Sequence, residues 1–134
     1  MSDIISVYAK SGVTIRPYRQ VRLTGKRNGH AWEVDLPAAA DQRTHAIALP
    51  APKSINDTTP DIITDKKWGQ ARTFGPVVDV EVSGPVKLDD DLCSAADGRV
   101  YKARVRDKNQ TGIALATKRA GEVCPVMLGW QRRR

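Results

Sequence analysis

At 134 residues the chain has room for one domain, or for two small lobes sharing a core, and can bury enough surface to fold without metals or disulfides. Apolar residues make up 40% of it but Phe, Trp and Tyr only 5%, so the core must be built from Val, Ile, Leu and Ala. No apolar run approaches the length of a bilayer span, and the acid in the opening MSDIISVYAKSG stands where a signal peptide would carry positive charge. A soluble protein made in the cytoplasm is expected.

In chain order the signals are those of strands. IISVYA, with Ile4, Ile5, Val7 and Tyr8, reads as an N-terminal arm or as an ordinary first strand. QVRLTG and AWEVDL alternate apolar and polar residues on either side of KRNGH, whose Asn28-Gly29 pair predicts a hairpin. HAIAL gives a short apolar strand. The stretch 52–73 is polar, with Pro52 and Pro60, and predicts a long surface excursion, or else a plug folded back on the core. VVDVEVSG places Val78, Val80 and Val82 on one face and Asp79 and Glu81 on the other. DDDLCSA allows a brief helical turn, since acids suit a helix start. Asp97-Gly98 then turns the chain into RVYKARV, and TGIALA and EVCPVML complete the set, with Pro125 predicting an edge position or a bulge.

Many short strands between Gly, Pro and Asp turns predict an all-β fold, a small β-barrel or β-sandwich. Matching AIAL (46–49) to GIAL (112–115), and VEVSG (80–84) to VMLGW (126–130), suggests one architecture used twice. The organisation expected is an arm or first strand over 1–15 and a single β-domain over 16–134. Its first module is 16–84 with the insertion 52–73, its second is 85–130, and a basic tail covers 131–134.

Charge is unevenly spread. Residues 1–50 hold 7 basic and 4 acidic side chains, 51–100 hold 6 and 9, and 101–134 hold 9 and 2, so the last quarter accounts for the whole net +7. Lys102, Arg104 and Arg106 alternate along one predicted strand, and Arg132, Arg133 and Arg134 follow at the end. Such a surface fits an acidic partner, either an acidic protein face or nucleic acid. The nucleic-acid alternative is the weaker one, because Tyr101 falls on the face opposite Lys102 and Trp130 is the only other aromatic nearby.

Chemistry is sparse. His30 sits by the hairpin turn and His45 opens a strand, so neither is placed as a general base. GxSxG, HExxH, GxGxxG and phosphate-cradling loops are all missing from the sequence. Cys93 and Cys124 lack zinc-ligand spacing and are expected as two buried thiols, a disulfide between them being the alternative. The sequence therefore points to no catalytic residues, no metal and no cofactor.

The segments VRLTG…WEVDLPAAADQRTHAIAL, VVDVEVSGPVKL and DLCSAADGRVYKA…TGIALATKRAGEVCPVMLG together resemble capsid decoration (cement) proteins of tailed bacteriophages, over roughly residues 12–130. The excursion 52–73 and the Arg-rich end depart from that cadence. The resemblance implies a virion protein made in the host cytoplasm and bound outside the capsid across neighbouring major capsid subunits. It further implies a homo-oligomer, commonly a trimer, without enzyme activity or membrane attachment. Lys66, Lys67, Trp68, Arg72 and Phe74 are the candidate contact loop, because cations beside aromatics anchor interfaces. Ile4, Ile5 and Tyr8 of the arm are a second candidate contact. The basic residues Lys102, Arg104, Arg106 and Arg132 to Arg134 would face an acidic capsid exterior.

Overall fold

The computed structural model describes residues 4–51, 56, 61–73 and 77–132, with backbone alone over 130–132. Among these residues there are ten strands and no helix: β1 (Ile4–Ala9), β2 (Gln20–Asn28), β3 (Ala31–Asp35), β4 (Ala46–Ala48), β5 (Gly69–Arg72), β6 (Val78–Glu81), β7 (Asp91–Ser94), β8 (Val100–Lys102), β9 (Asn109–Ala114) and β10 (Val123–Arg132). The fold is all-β. Five strands close a barrel in the order β1-β3-β2-β4-β5, and the others form a sheet in the order β6-β10-β9-β7-β8.

Closure of the barrel depends on β1. It pairs parallel with β3 and antiparallel with β5, so the residues 4–9 are a stave of the barrel and not a free arm. The interior is filled by Val7, Ala9, Ile15, Val21, Val34, Ala46, Ala48, Ile63 and Ala71. Five strands enclose a narrow lumen, and alanines can fill much of it, which is how a chain poor in aromatics packs this core. The β2–β3 hairpin turns at Gly29-His30 between the paired Asn28 and Ala31. Gly29, at φ +63°, supplies the first turn position, so the predicted Asn28 ends the strand instead of entering the turn.

Part of the predicted excursion belongs to the barrel. Ile63 is buried and exchanges backbone hydrogen bonds with Ile15, 2.8 and 2.9 Å long, and β5 fills the gap between β4 and β1. Of the two alternatives for 52–73, Ile63 and β5 follow the plug, while the turn 65–68 between them stays at the surface. Gly69 lies against that plug, since a Cβ there would stand 2.7 Å from Ile63 Cγ1.

In the second sheet Val78, Val80 and Val82 turn inward as predicted, joined by Val86, Leu92, Val100, Ala114, Cys124 and Val126. β6 pairs with β10, with Val80 opposite Cys124, so the two sheets divide between Arg72 and Val78 and not at 84/85. The segments 80–84 and 126–130, matched above as equivalents of a repeat, thus belong to neighbouring elements of one sheet. DDDLCSA forms strand β7 and no helical turn, because Leu92, Cys93 and Ser94 are covered on both faces. Pro125 lies within a strand flanked on both sides. Its carbonyl accepts from Leu115 N at 2.9 Å, and its missing N–H falls where the β9 ladder, which begins at Val126, has ended. Cys93 and Cys124 are buried and not joined in a disulfide, and burial pushes the Cys124 thiol up.

Barrel and sheet are joined by polar groups. Gln20 is wholly buried: its N–H donates to Gly98 O at 2.6 Å and its side-chain amide to Arg99 O at 3.0 Å. Its Oε1 accepts from the hydroxyls of Thr44, at 2.9 Å, and Thr111, at 2.6 Å. Asp41, in the left-handed region at φ +64°, donates its N–H to Ser94 O at 2.7 Å. Ile47 points out of the barrel into the core of the sheet. Arg19 pairs with Glu81 at 3.2 Å and Arg99 with Asp97 at 2.8 Å along the rim of the joint.

Candidate interaction surfaces

Two surfaces carry the residues singled out by the sequence. The first is the outer face of β1 and β5. Along β1 the side chains alternate, with Val7 and Ala9 in the barrel and Ile4, Ser6 and Tyr8 toward its outside. Ile5 is half-buried and packs against the barrel core, on the other side of the strand from Ile4 and Tyr8. The antiparallel register sets Ile4 opposite Arg72 and Ser6 opposite Gln70. Just ahead of β5, Trp68 is 49% exposed and stacks on Tyr8, with ring centroids 5.6 Å apart and planes at 27°. The arm and the loop, two separate candidates in the sequence, are therefore one face.

Lys66 and Lys67 stand in the turn before Trp68, which Thr64 shapes by accepting from their N–H groups at 3.2 and 3.0 Å. Lys66 is exposed and Lys67 half-buried. A groove of about 360 Å³ runs between Trp68, Ser6 and Gln70 on one side and Leu49, Pro50 and Ala51 on the other. A second, of about 210 Å³, shares Leu49 and Pro50 and continues past Arg72 to Tyr18, Val77 and Asp79. Leu49, Pro50 and Gln70 carried no sequence signal, since they become neighbours of Trp68 only through the β4–β5 pairing. Phe74 lies outside the described residues.

The second surface follows β8. The predicted Lys102-Arg104-Arg106 stripe is not a strand face, because β8 stops at Lys102 and the chain turns. Asp107 causes the turn. Its N–H donates to Arg104 O at 3.0 Å, and its carboxylate accepts from Arg104 N at 2.7 Å and Nε at 3.1 Å. It also accepts from Tyr101 Oη at 2.9 Å. The Arg104 guanidinium lies 4.7 Å over the Tyr101 ring and donates to its hydroxyl at 2.9 Å. Arg104 is thus engaged within the turn, while Lys102 and Arg106 remain exposed. Arg132 is described only as backbone in β10, and Arg133 and Arg134 lie outside the described residues.

This network sets the local ionisation. Burial, then the bond to Asp107, pushes the Tyr101 hydroxyl up to about 12. Burial alone would raise Asp107, but the hydrogen bonds from Arg104 and Tyr101 outweigh it and hold the carboxyl below its ordinary range. A tyrosine whose folded pKa is raised stabilises the fold fully below its unfolded value, about 10. That contribution is lost as pH rises from there through about 12. Ultraviolet titration of tyrosinate in a Tyr8→Phe, Tyr18→Phe background should show Tyr101 ionising near the upper value, and Asp107→Asn should bring it down. Ionisation at the unfolded value in that background would mean the network does not hold.

No family model and no curated protein matches the chain. Among solved structures it is similar to the crystal structure of the head fiber gp8.5 N base in bacteriophage phi29, with a TM-score of 0.71 and 15% identity. The match covers 100% of this chain and 99% of that one. At this identity the likeness is one of fold, and it takes in the barrel and the sheet together.

Proposed function

We propose that the chain is a structural protein of a phage virion, attached to the outside of the head, with a role in binding and assembly and not in catalysis. The observation that carries this is the end-to-end likeness in fold to the head fiber N base, which includes both sheets and their joint. In this reading the chain decorates and stabilises the shell by binding across neighbouring major capsid subunits, as a homo-oligomer, with a trimer favoured. The contact face is β1 and β5, where Ile4, Tyr8, Lys66, Trp68 and Arg72 stand together beside the groove. A half-exposed tryptophan braced by a tyrosine is a suitable anchor, since its large apolar surface is already ordered before the partner arrives. Binding to the assembled lattice and not to free subunits would stabilise the shell by mass action, and several contacts per oligomer would add avidity.

The experiment is a count of this chain per particle, by quantitative mass spectrometry of gradient-purified virions. A number in simple ratio to the major shell protein is expected. A handful of copies would move the chain to the tail or connector, and complete absence from virions would end the structural reading.

A further inference from the structure

The turn after β8 holds a short segment outward from both ends. On one side the Asp107 side chain, only 3% exposed, binds the backbone and guanidinium of Arg104 and the hydroxyl of Tyr101. On the other, the Asp41 carboxylate reaches across from the barrel side and accepts from Lys108 N at 2.6 Å and Asn109 N at 2.7 Å. Between these clamps Val105 is fully exposed, the most exposed large apolar residue among those described.

Around Val105 the charge is of one sign. Lys102, Arg106 and Lys108 are exposed and make no ion pair among the described residues. The acids of the same region are engaged: Asp107 with Arg104 and Tyr101, Asp41 with two backbone N–H groups, and Asp91 with the Gln110 amide at 3.1 Å. A bare valine buries nothing in the fold it tops, yet the loop that carries it is fixed by charge-assisted hydrogen bonds, most of them partly buried. Ordering a loop in advance removes a cost that binding would otherwise bear.

We infer that the 105–106 tip is a second docking point, an apolar knob flanked by cations that enters a carboxylate-lined pocket on an acidic protein surface, with Arg104, Asp107 and Asp41 as its positioning residues. The inference rests on the virion-attachment reading and adds to it. A protein that bridges shell subunits needs a contact apart from the β1–β5 face, and this one is carried by the other sheet.

The test is co-sedimentation of the full chain with shell particles assembled without it, for the natural sequence, for variants at the exposed tip and for one at the buried Asp107 beneath it. Val105→Asp and Arg106→Glu should each weaken particle binding about tenfold or more, and Arg106→Lys should stay close to the natural chain. Asp107→Asn should weaken binding to a similar degree, with the Tyr101 pKa falling from about 12 as the sign that the network holding the tip has opened. If the natural chain binds and both Val105→Asp and Arg106→Glu bind as well as it does, the tip is no docking point and the attachment reading survives. If the natural chain itself fails to bind particles, both ideas fall together. Tight, steeply salt-dependent binding to duplex DNA that Arg106→Glu abolishes, with particle binding unchanged, would overturn the acidic-protein partner in favour of nucleic acid.

Discussion

Gln20→Leu is expected to destabilise the protein by about 3–4 kcal/mol, although the new side chain has nearly the shape of the old one. The glutamine is completely buried where barrel meets sheet, and its amide is engaged at both ends: Nε2 donates to Arg99 O, and the oxygen is shared by the Thr44 and Thr111 hydroxyls. Leucine would leave those two hydroxyls facing an apolar group and remove one of the two donors to the Arg99 carbonyl. A buried polar group stripped of its partner costs roughly 1–3 kcal/mol, so the two hydroxyls together exceed what the added apolar burial returns, while Arg99 O keeps its bond from Ala95 N at 2.7 Å. The same reasoning predicts a rescue. Where every partner becomes apolar at similar volume the penalty largely disappears, so Gln20→Leu, Thr44→Val, Thr111→Val should recover more than half of the loss. Urea denaturation with a common slope gives both numbers. A single variant within about 1 kcal/mol of the natural chain would show that water or rearrangement satisfies these groups and that the joint is not specified by Gln20.

That joint shows where sequence reading stops. Elements whose apolar alternation is set by local neighbours were legible: the β2–β3 hairpin around its glycine turn, the inward valines of β6, and the β9 and β10 strands. Elements defined by remote partners were not. β5 is GQAR, and only Ala71 faces the core, because the lumen of a five-stranded barrel is too narrow to demand more. β7 hides behind three aspartates because its three covered residues follow one another instead of alternating. YKARVR keeps the alternation of a strand past the point where Asp107 captures Arg104 and turns the chain, a contact that competes with the ladder and leaves no periodic trace. As for the candidate contact face, its residue types were legible from cations placed beside aromatics. Its unity was not, since Tyr8 and Trp68 meet only because β5 returns antiparallel to β1.

Gly112→Ala is expected to cost about 3 kcal/mol, and it tests the one difference between the two IAL strands. In AIAL and GIAL, Ala48 and Ala114 each face the core of their own sheet, and Ala46 and Gly112 occupy the equivalent place two residues before. At position 46 the barrel has room for a methyl group. At 112 a Cβ would stand 2.8 Å from Val126 Cγ1 and well inside contact distance of the Met127 carbonyl oxygen. That oxygen belongs to β10, which pairs with β9 at Leu128↔Gly112 and Met127↔Ile113, so it cannot swing aside as a flexible side chain would. The φ of Gly112 is not in the left-handed region, so backbone strain has no part in the cost. Either the β9–β10 ladder opens locally or Val126 is pushed from the core beside Val80 and Leu92, and overpacking of this kind costs roughly 1–3 kcal/mol or more where the obstacle is backbone. Ala46→Gly is the control, expected to lose only about 1 kcal/mol through a freer unfolded chain and a lost methyl group. Thermal and urea unfolding of the two variants should therefore rank them far apart, with amide exchange quickened along 109–114 in Gly112→Ala alone. Equal losses would mean that the β9–β10 approach is looser than this register requires and that the glycine is an accident of sequence.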